Sequence, residues 1–199
     1  MRRAGGMFTP LVVSTLTIGL VTGCVTHTTA AVPDHRHGSP VRAAATASGG
    51  FNTTDTAWLQ LMIPMNERVL PLLDLGAERG HDPAVRRLAA RARNDHLTEL
   101  ERLRVMLTRT GLPPTNVHAG HDMPGMVTAA DLTALRATGG AAFDRLFLDR
   151  LREHLQQSAM VSRSEQTAGA DDDTRALAAA VERSRGAQLD LLGRVRAAM

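Results

Sequence analysis

Between His118 and Met126 the chain reads His-Ala-Gly-His-Asp-Met-Pro-Gly-Met, two imidazoles three residues apart followed by two thioethers three residues apart. Neutral imidazole and thioether are soft donors. With no thiolate and little carboxylate nearby, they suit Cu(I), or Cu(II) through the histidines alone, better than zinc or magnesium. Pro124-Gly125 is a turn pair, expected to draw His118, His121, Met123 and Met126 together as a metal site. The competing reading packs Met-Pro-Gly-Met against a core and leaves the histidines solvated.

The flanking segments carry the periodicity of helices. Asp82-Pro83 is an N-cap followed by proline at the first helical position, and Val85, Leu88, Ala89, Ala92, His96, Leu100, Leu103 and Leu107 continue at helical spacing up to Gly111. Before it, Thr53-Thr54-Asp55 are expected caps of a first helix through Trp58, Leu59, Met62, Val69 and Leu73. Pro64 and Pro71 each cost roughly 3 kcal/mol inside a helix, so this helix is expected to be kinked or broken. After the His/Met segment come a short helix started by Thr128 and Asp131, a long helix over about 141–168, and a last one behind Asp171, Asp172 and Asp173 that ends near Arg196.

The two long pairs match at a constant offset of 89. Trp58 aligns with Phe147, Leu59 with Leu148, Leu88 with Leu177, Ala89 with Ala178, Leu100 with Leu189 and Leu103 with Leu192. The fold expected is all-α: a four-helix bundle of two duplicated hairpins about an approximate two-fold, with a central His/Met loop and a short extra helix. His96 then faces the core or its edge, with Glu99 a turn further on. His154, Met62 and Met65 fall on the matching surfaces of the other hairpin helices and make a second set of candidate metal ligands. Methionine is also a common core filler, and a lone inward histidine is more often hydrogen-bonded than metallated.

His121-Asp-Met-Pro-Gly-Met126, followed by Leu132, Leu135, Phe143, Asp144 and Phe147, resembles the middle of a family of exported bacterial proteins known as a domain of unknown function. The resemblance covers roughly Asp55 to the C-terminus. It implies a ferritin-like bundle and, from some members, copper binding. It also implies Met-x-x-His-His in the first helix of each half and Gln-x-x-Glu in the second. This chain departs from that pattern, with Met62-Ile-Pro-Met65-Asn66 and Leu151-Arg-Glu-His154-Leu155 in one place, and His96-x-x-Glu99 and Arg185-x-x-Gln188 in the other. Arg185 stands where the duplication puts His96. Its guanidinium is expected to pair with Glu99 or Glu153, an ion pair in place of metal ligands.

Arg2, Arg3, the apolar run from Phe8 to Val21 and Val21-Thr22-Gly23-Cys24 read as an export leader. The run is too short and too rich in Thr and Gly to span a bilayer. Val-Thr-Gly-Cys resembles a lipobox, which implies lipid on Cys24. The organisation expected is a signal peptide over 1–23, a flexible tether over 24–52 poor in large apolar residues, and a bundle over 53–199. His27, His35 and His37 in the tether read as solvated. Cys24 is the only cysteine, so the bundle holds no internal disulfide.

Composition excludes several classes. All 23 basic residues are arginine; without Arg2 and Arg3 they number 21 against 20 acids, and they are scattered rather than massed on one stripe. Nucleic-acid binding therefore has no support. No phosphate-cradling glycine motif is present, no glycine-flanked elbow marks Ser158, Ser162 or Ser164 as a nucleophile, and the carboxylates lack the Glu-x-x-His set of di-metal oxidases. The function expected is non-enzymatic: a lipid-anchored, exported binder or buffer of a soft metal, copper first. The competing expectations are a scaffold or interaction lipoprotein that keeps only the fold and, as a third class, redox catalysis on bound copper or iron.

Overall fold

The computed structural model describes residues 50–199; the leader, Cys24 and all of the tether before Gly50 lie outside the described residues. Five helices follow one another among the described residues, with no strand: α1 (Thr53–Arg79), α2 (Pro83–Arg109), α3 (Ala129–Ala137), α4 (Gly140–Ala168) and α5 (Asp172–Ala197). None is long and apolar enough to cross a membrane.

α1 begins one residue earlier than its threonines suggest. Asn52 is the N-cap, accepting from the amides of Thr54 and Asp55, while Asp55 reaches back to the Asn52 amide in a reciprocal capping box. The expected break at Pro64 and Pro71 does not occur, and α1 runs unbroken through both. Each proline removes one helical bond, but the same helix buries Trp58, Leu59, Met62, Met65, Val69, Leu72 and Leu73. At about 1.5–3 kcal/mol for each large apolar side chain, that burial outweighs two prolines. α2 starts on Asp82 with Pro83 behind it, and α3 on a Thr128/Asp131 capping box, both as the sequence predicts.

α1 packs along α2 and α4 along α5, and the two hairpins meet through α1 against α4 and, more sparsely, α2 against α5. A matched pair of carboxylates locks them together. Asp55, at the start of α1, accepts the amides of Ala170 and Asp171 in the α4–α5 turn at 3.1 Å. Asp144, near the start of α4, accepts those of His81 and Asp82 in the α1–α2 turn at 2.8 Å. Donors and acceptors both differ by 89 residues, so the duplication read from the apolar positions extends to the hydrogen bonds that join the halves. The helix pairs α1/α4 and α2/α5 therefore run antiparallel, and Arg109 at the end of α2 meets Asp171 and Asp173 at the start of α5.

The ends differ in one respect. Gly76 in the first half lies against Phe147, and a Cβ there would collide with the ring. Its counterpart in the second half is Glu165, fully buried beside Asp55. Burial and the neighbouring Asp55 push the Glu165 carboxyl up to about 8. Burial also works to raise Asp55, but the amides of Asn52, Ala170 and Asp171 and the Glu165 side chain outweigh it and hold Asp55 low. The two shifts run in opposite directions and favour a single charge on the pair, with the proton on Glu165.

Candidate metal centre

Every long helix brings a polar side chain to the middle of the bundle. α1 supplies Asn66, α2 His96 and Glu99, α4 His154 and Ser158, and α5 Arg185; Glu99 is 8% exposed and the other five are fully buried. Local spacing explains the placement. His96 follows Ala92 by four residues and precedes Leu100 by four, and His154 lies three after Leu151, each on its helix's apolar stripe.

The two imidazoles face each other with their Nε2 atoms 3.1 Å apart. His96 Nδ1 lies 2.8 Å from the Ala92 carbonyl oxygen, and His154 Nδ1 lies 3.0 Å from that of Gly125. A carbonyl oxygen only accepts, so both Nδ1 atoms must carry the proton. In neutral rings both Nε2 atoms then hold lone pairs, and the lone pairs oppose one another. Switching one ring to the other tautomer relieves that contact only by setting an Nδ1 lone pair against a carbonyl. An added cation between the Nε2 atoms satisfies all three contacts together. A proton is disfavoured there: burial, then the Arg185 charge, lowers His154 to about 3, and burial, Arg185 and His154 hold His96 well below its usual value. Imidazole anchored through Nδ1–H to a carbonyl, with Nε2 directed inward, is the arrangement of metal-ligating histidine.

Beside the histidines lies an ion pair. Arg185 Nη2 donates to Glu99 Oε1 at 2.6 Å and Arg185 Nε to Ser158 Oγ at 2.9 Å, while Asn66 Nδ2 donates to Glu99 Oε1 at 2.9 Å and to the Met62 carbonyl at 2.9 Å. Of the two expected partners of Arg185 the fold selects Glu99; Glu153 is on the surface with Arg150. Arg185 Nη1 has no partner among the described residues. The Arg185 and Glu99 charges cancel, so the centre as a whole is neutral.

The candidate loop is divided between core and solvent. Met123 and Pro124-Gly125-Met126 form a type II turn, closed by the Met126 amide on the Met123 carbonyl at 3.0 Å, with Gly125 at φ 77°. Met126 is buried among Trp58, Leu59, Met62, Met65, Leu103 and Leu107, and Met123 packs against the same cluster. His121 is exposed and His118 half-buried. Arg68 ties the segment down through the His121 carbonyl and the Asp122 carboxylate. The turn therefore turns Met126 inward and leaves His121 outside, because the thioether gains from burial and the imidazole does not. Of the second candidate set, His96 and His154 meet, Glu99 is taken by Arg185 and Asn66, and Met62 and Met65 are core. Met65 stands at the two-fold counterpart of His154. Among the described residues no three of His, Cys, Asp and Glu converge as a metal-holding group.

The two candidate sets are joined by the bond from His154 to the Gly125 carbonyl, so the loop's turn orients a histidine of the bundle. Sequence reasoning missed this link, along with Asn66 and Ser158. Asn66 carried a signal, since it occupies a place where the resemblance implies histidine; a backbone carbonyl as partner leaves none.

The model of the domain of unknown function DUF305 matches residues 55–196. The chain belongs to the DUF305 family. Among solved structures, the DUF305 fragment from Deinococcus radiodurans superposes with a TM-score of 0.68 at 19% identity, over 76% of this chain and 100% of that one. A DUF305 protein of Streptomyces coelicolor named as secreted gives 0.64 at 19% identity, over 71% and 91%. CopM in its Cu(II)-bound form gives 0.62 at 19% identity, over 70% and 93%. These similarities establish the DUF305 bundle for this chain. No curated protein matches the sequence significantly.

Proposed function

We propose that this DUF305 protein binds a soft metal ion, copper first, through His96 and His154. The opposed Nε2 atoms carry the reading: two imidazoles, each fixed at Nδ1 by a carbonyl, bring their Nε2 atoms within 3.1 Å of each other. That separation lets both reach one ion at the usual imidazole–metal distance of about 2 Å. Neutral nitrogen donors without a free carboxylate favour copper over magnesium or calcium, and the copper-bound form of CopM, on the same fold, supports the choice. The role proposed is binding or buffering rather than catalysis: the residues here hold and orient the ion, and Glu99 is committed to Arg185.

Export and lipid attachment at Cys24 complete the proposal. They are supported by the leader and its Val-Thr-Gly-Cys ending, and by a structural relative named as secreted. Titration of the purified protein with Cu(I) against a chromophoric chelator is expected to show one equivalent bound. His96→Ala and His154→Ala each abolish it, and the His118/His121 double alanine variant retains it. Affinity unchanged in both bundle variants would remove the reading. Cys24→Ala is expected to move the protein from the membrane to the soluble exported fraction.

A second reading has its own observation. Arg185 holds the two-fold counterpart of His96 and forms a buried ion pair with Glu99, which is the arrangement of a bundle that keeps the fold and replaces metal ligands by an internal pair. It requires that the purified protein take up no metal at all.

A further inference from the structure

The seam between α2 and α5 is the sparsely packed one, and it opens into a groove of about 440 Å³, within the range of small-molecule sites. Small α5 residues, Ala180, Ser184 and Ala187, leave the space. Its apolar wall is aliphatic. Its polar groups are unusual in having few partners. Gln188 is 5% exposed and donates Nε2 to Asp95 Oδ2 at 3.1 Å, which pins the amide and leaves Oε1 a buried acceptor with no donor. Asp95 forms no ion pair among the described residues, and neither do Arg91 and Arg194, nor Arg102, which lies seven residues beyond Asp95 toward the other end of the groove.

Register decides how these groups are arranged. α2 and α5 are antiparallel, and the Gln188–Asp95 bond sets their alignment. Arg91 is four residues before Asp95 and Arg194 six after Gln188, so both lie toward the same end, at heights differing by only about 3 Å at 1.5 Å rise per residue. Two guanidinium groups thus flank one end of the groove without a carboxylate, while an unpaired carboxylate and an orphan carbonyl acceptor lie in its middle. An anion satisfies the first and a cationic N–H donor the second.

We infer that the α2–α5 groove binds an aliphatic zwitterion of amino-acid or dipeptide size, its carboxylate between Arg91 and Arg194 and its ammonium on Asp95 and Gln188 Oε1. A purely anionic ligand would meet Asp95, and a purely cationic one would meet the arginines. The groove borders the centre through Ala92 and Glu99, but neither His96 nor His154 lines it.

The test is isothermal titration of the full chain with L-leucine and leucyl-leucine, alongside 4-methylpentanoate and isoamylamine, which carry one charge each. At least one zwitterion is expected to bind, and each singly charged analogue at least tenfold more weakly. The comparison of leucine with its dipeptide reports which size fits. Arg91→Ala/Arg194→Ala is expected to weaken binding at least tenfold with an unchanged melting temperature, since both side chains are exposed. Arg87→Ala, outside the groove, and His154→Ala are expected to bind as the parent does. Absence of binding by both zwitterions, equal binding by 4-methylpentanoate, or full affinity in the double arginine variant overturns the inference. Loss of copper binding in His154→Ala with the zwitterion retained separates it from the metal reading.

Discussion

The bundle centre and the His118–Met126 loop hold the same two kinds of soft donor, and the fold treats them in opposite ways. In the centre the imidazoles are fully buried and face each other, held by carbonyls, while Met62 and Met65 sit in the apolar cluster. In the loop the thioether of Met126 is buried and the imidazole of His121 is out in solvent. Burial sorts donors by what else can satisfy them. A thioether needs no hydrogen bond and goes into any core. An imidazole enters only where its ring N–H finds an acceptor, and the carbonyls of Ala92 and Gly125 provide two such places. The loop takes part in the centre, but through its backbone.

The largest effect that would test this contrast lies at Arg185. Arg185→Met leaves Glu99 buried without its cation and is expected to cost about 3–5 kcal/mol in urea unfolding, whereas Arg185→Met/Glu99→Leu recovers most of it, since a buried pair replaced as a whole is often neutral. The double variant removes the Arg185 and Glu99 charges together, so the centre stays neutral and its copper affinity is expected to match the parent's. A tighter copper affinity in the double variant would show that Arg185 opposes the cation more than Glu99 attracts it.

At the loop, Met126→Ala is expected to cost about 2–5 kcal/mol for a buried methionine, while His118→Ala and His121→Ala stay within about 0.5 kcal/mol, as surface changes do. Near-equal losses in thermal melts would erase the division between core thioether and solvated imidazole.

Gly125→Ala acts on both regions at once. Alanine is strained at φ 77°, and its Cβ would run into Gln157. A displaced turn withdraws the carbonyl from His154, and loss of such a supporting bond typically weakens a metal site 10–100-fold. Copper affinity in Gly125→Ala equal to the parent's would mean that the loop does not orient His154.

The smallest expected effect is a pH dependence from the far end of the bundle. Glu165 titrates near 8 when folded against an ordinary 4.5, so its contribution to stability is complete below about 4.5 and is lost as pH rises to about 8. Melting temperature is expected to fall across that window, and Glu165→Gln to flatten the fall. The opposite end, where Gly76 takes this position, supplies no such term.

Much of this was legible before any coordinates. The apolar spacing of Val85, Leu88, Ala92 and Leu103 marks α2, Asp82-Pro83 marks its start, and the offset of 89 marks the duplicated hairpin, because each is a local rule repeated along the chain. The break at Pro64 and Pro71 failed because a local penalty was set against tertiary burial, which is larger. The division of the His/Met loop between core and solvent was not legible for a related reason: ligand type can be read from residue names, whereas Met126 turns inward because a pocket among Trp58, Met62 and Leu107 receives it.

By itself the sequence determined the starts of α2 and α3, the two-fold relation and the inward stripe that carries His96 and Glu99, since these follow from periodicity and capping within single segments. Tertiary structure alone decided that His96 meets His154, that Arg185 chooses Glu99 over Glu153, and that Gly125 holds the second imidazole. Each joins residues at least 29 positions apart, and which distant groups meet depends on how antiparallel helices align in register, a property of the packed bundle that no single segment contains.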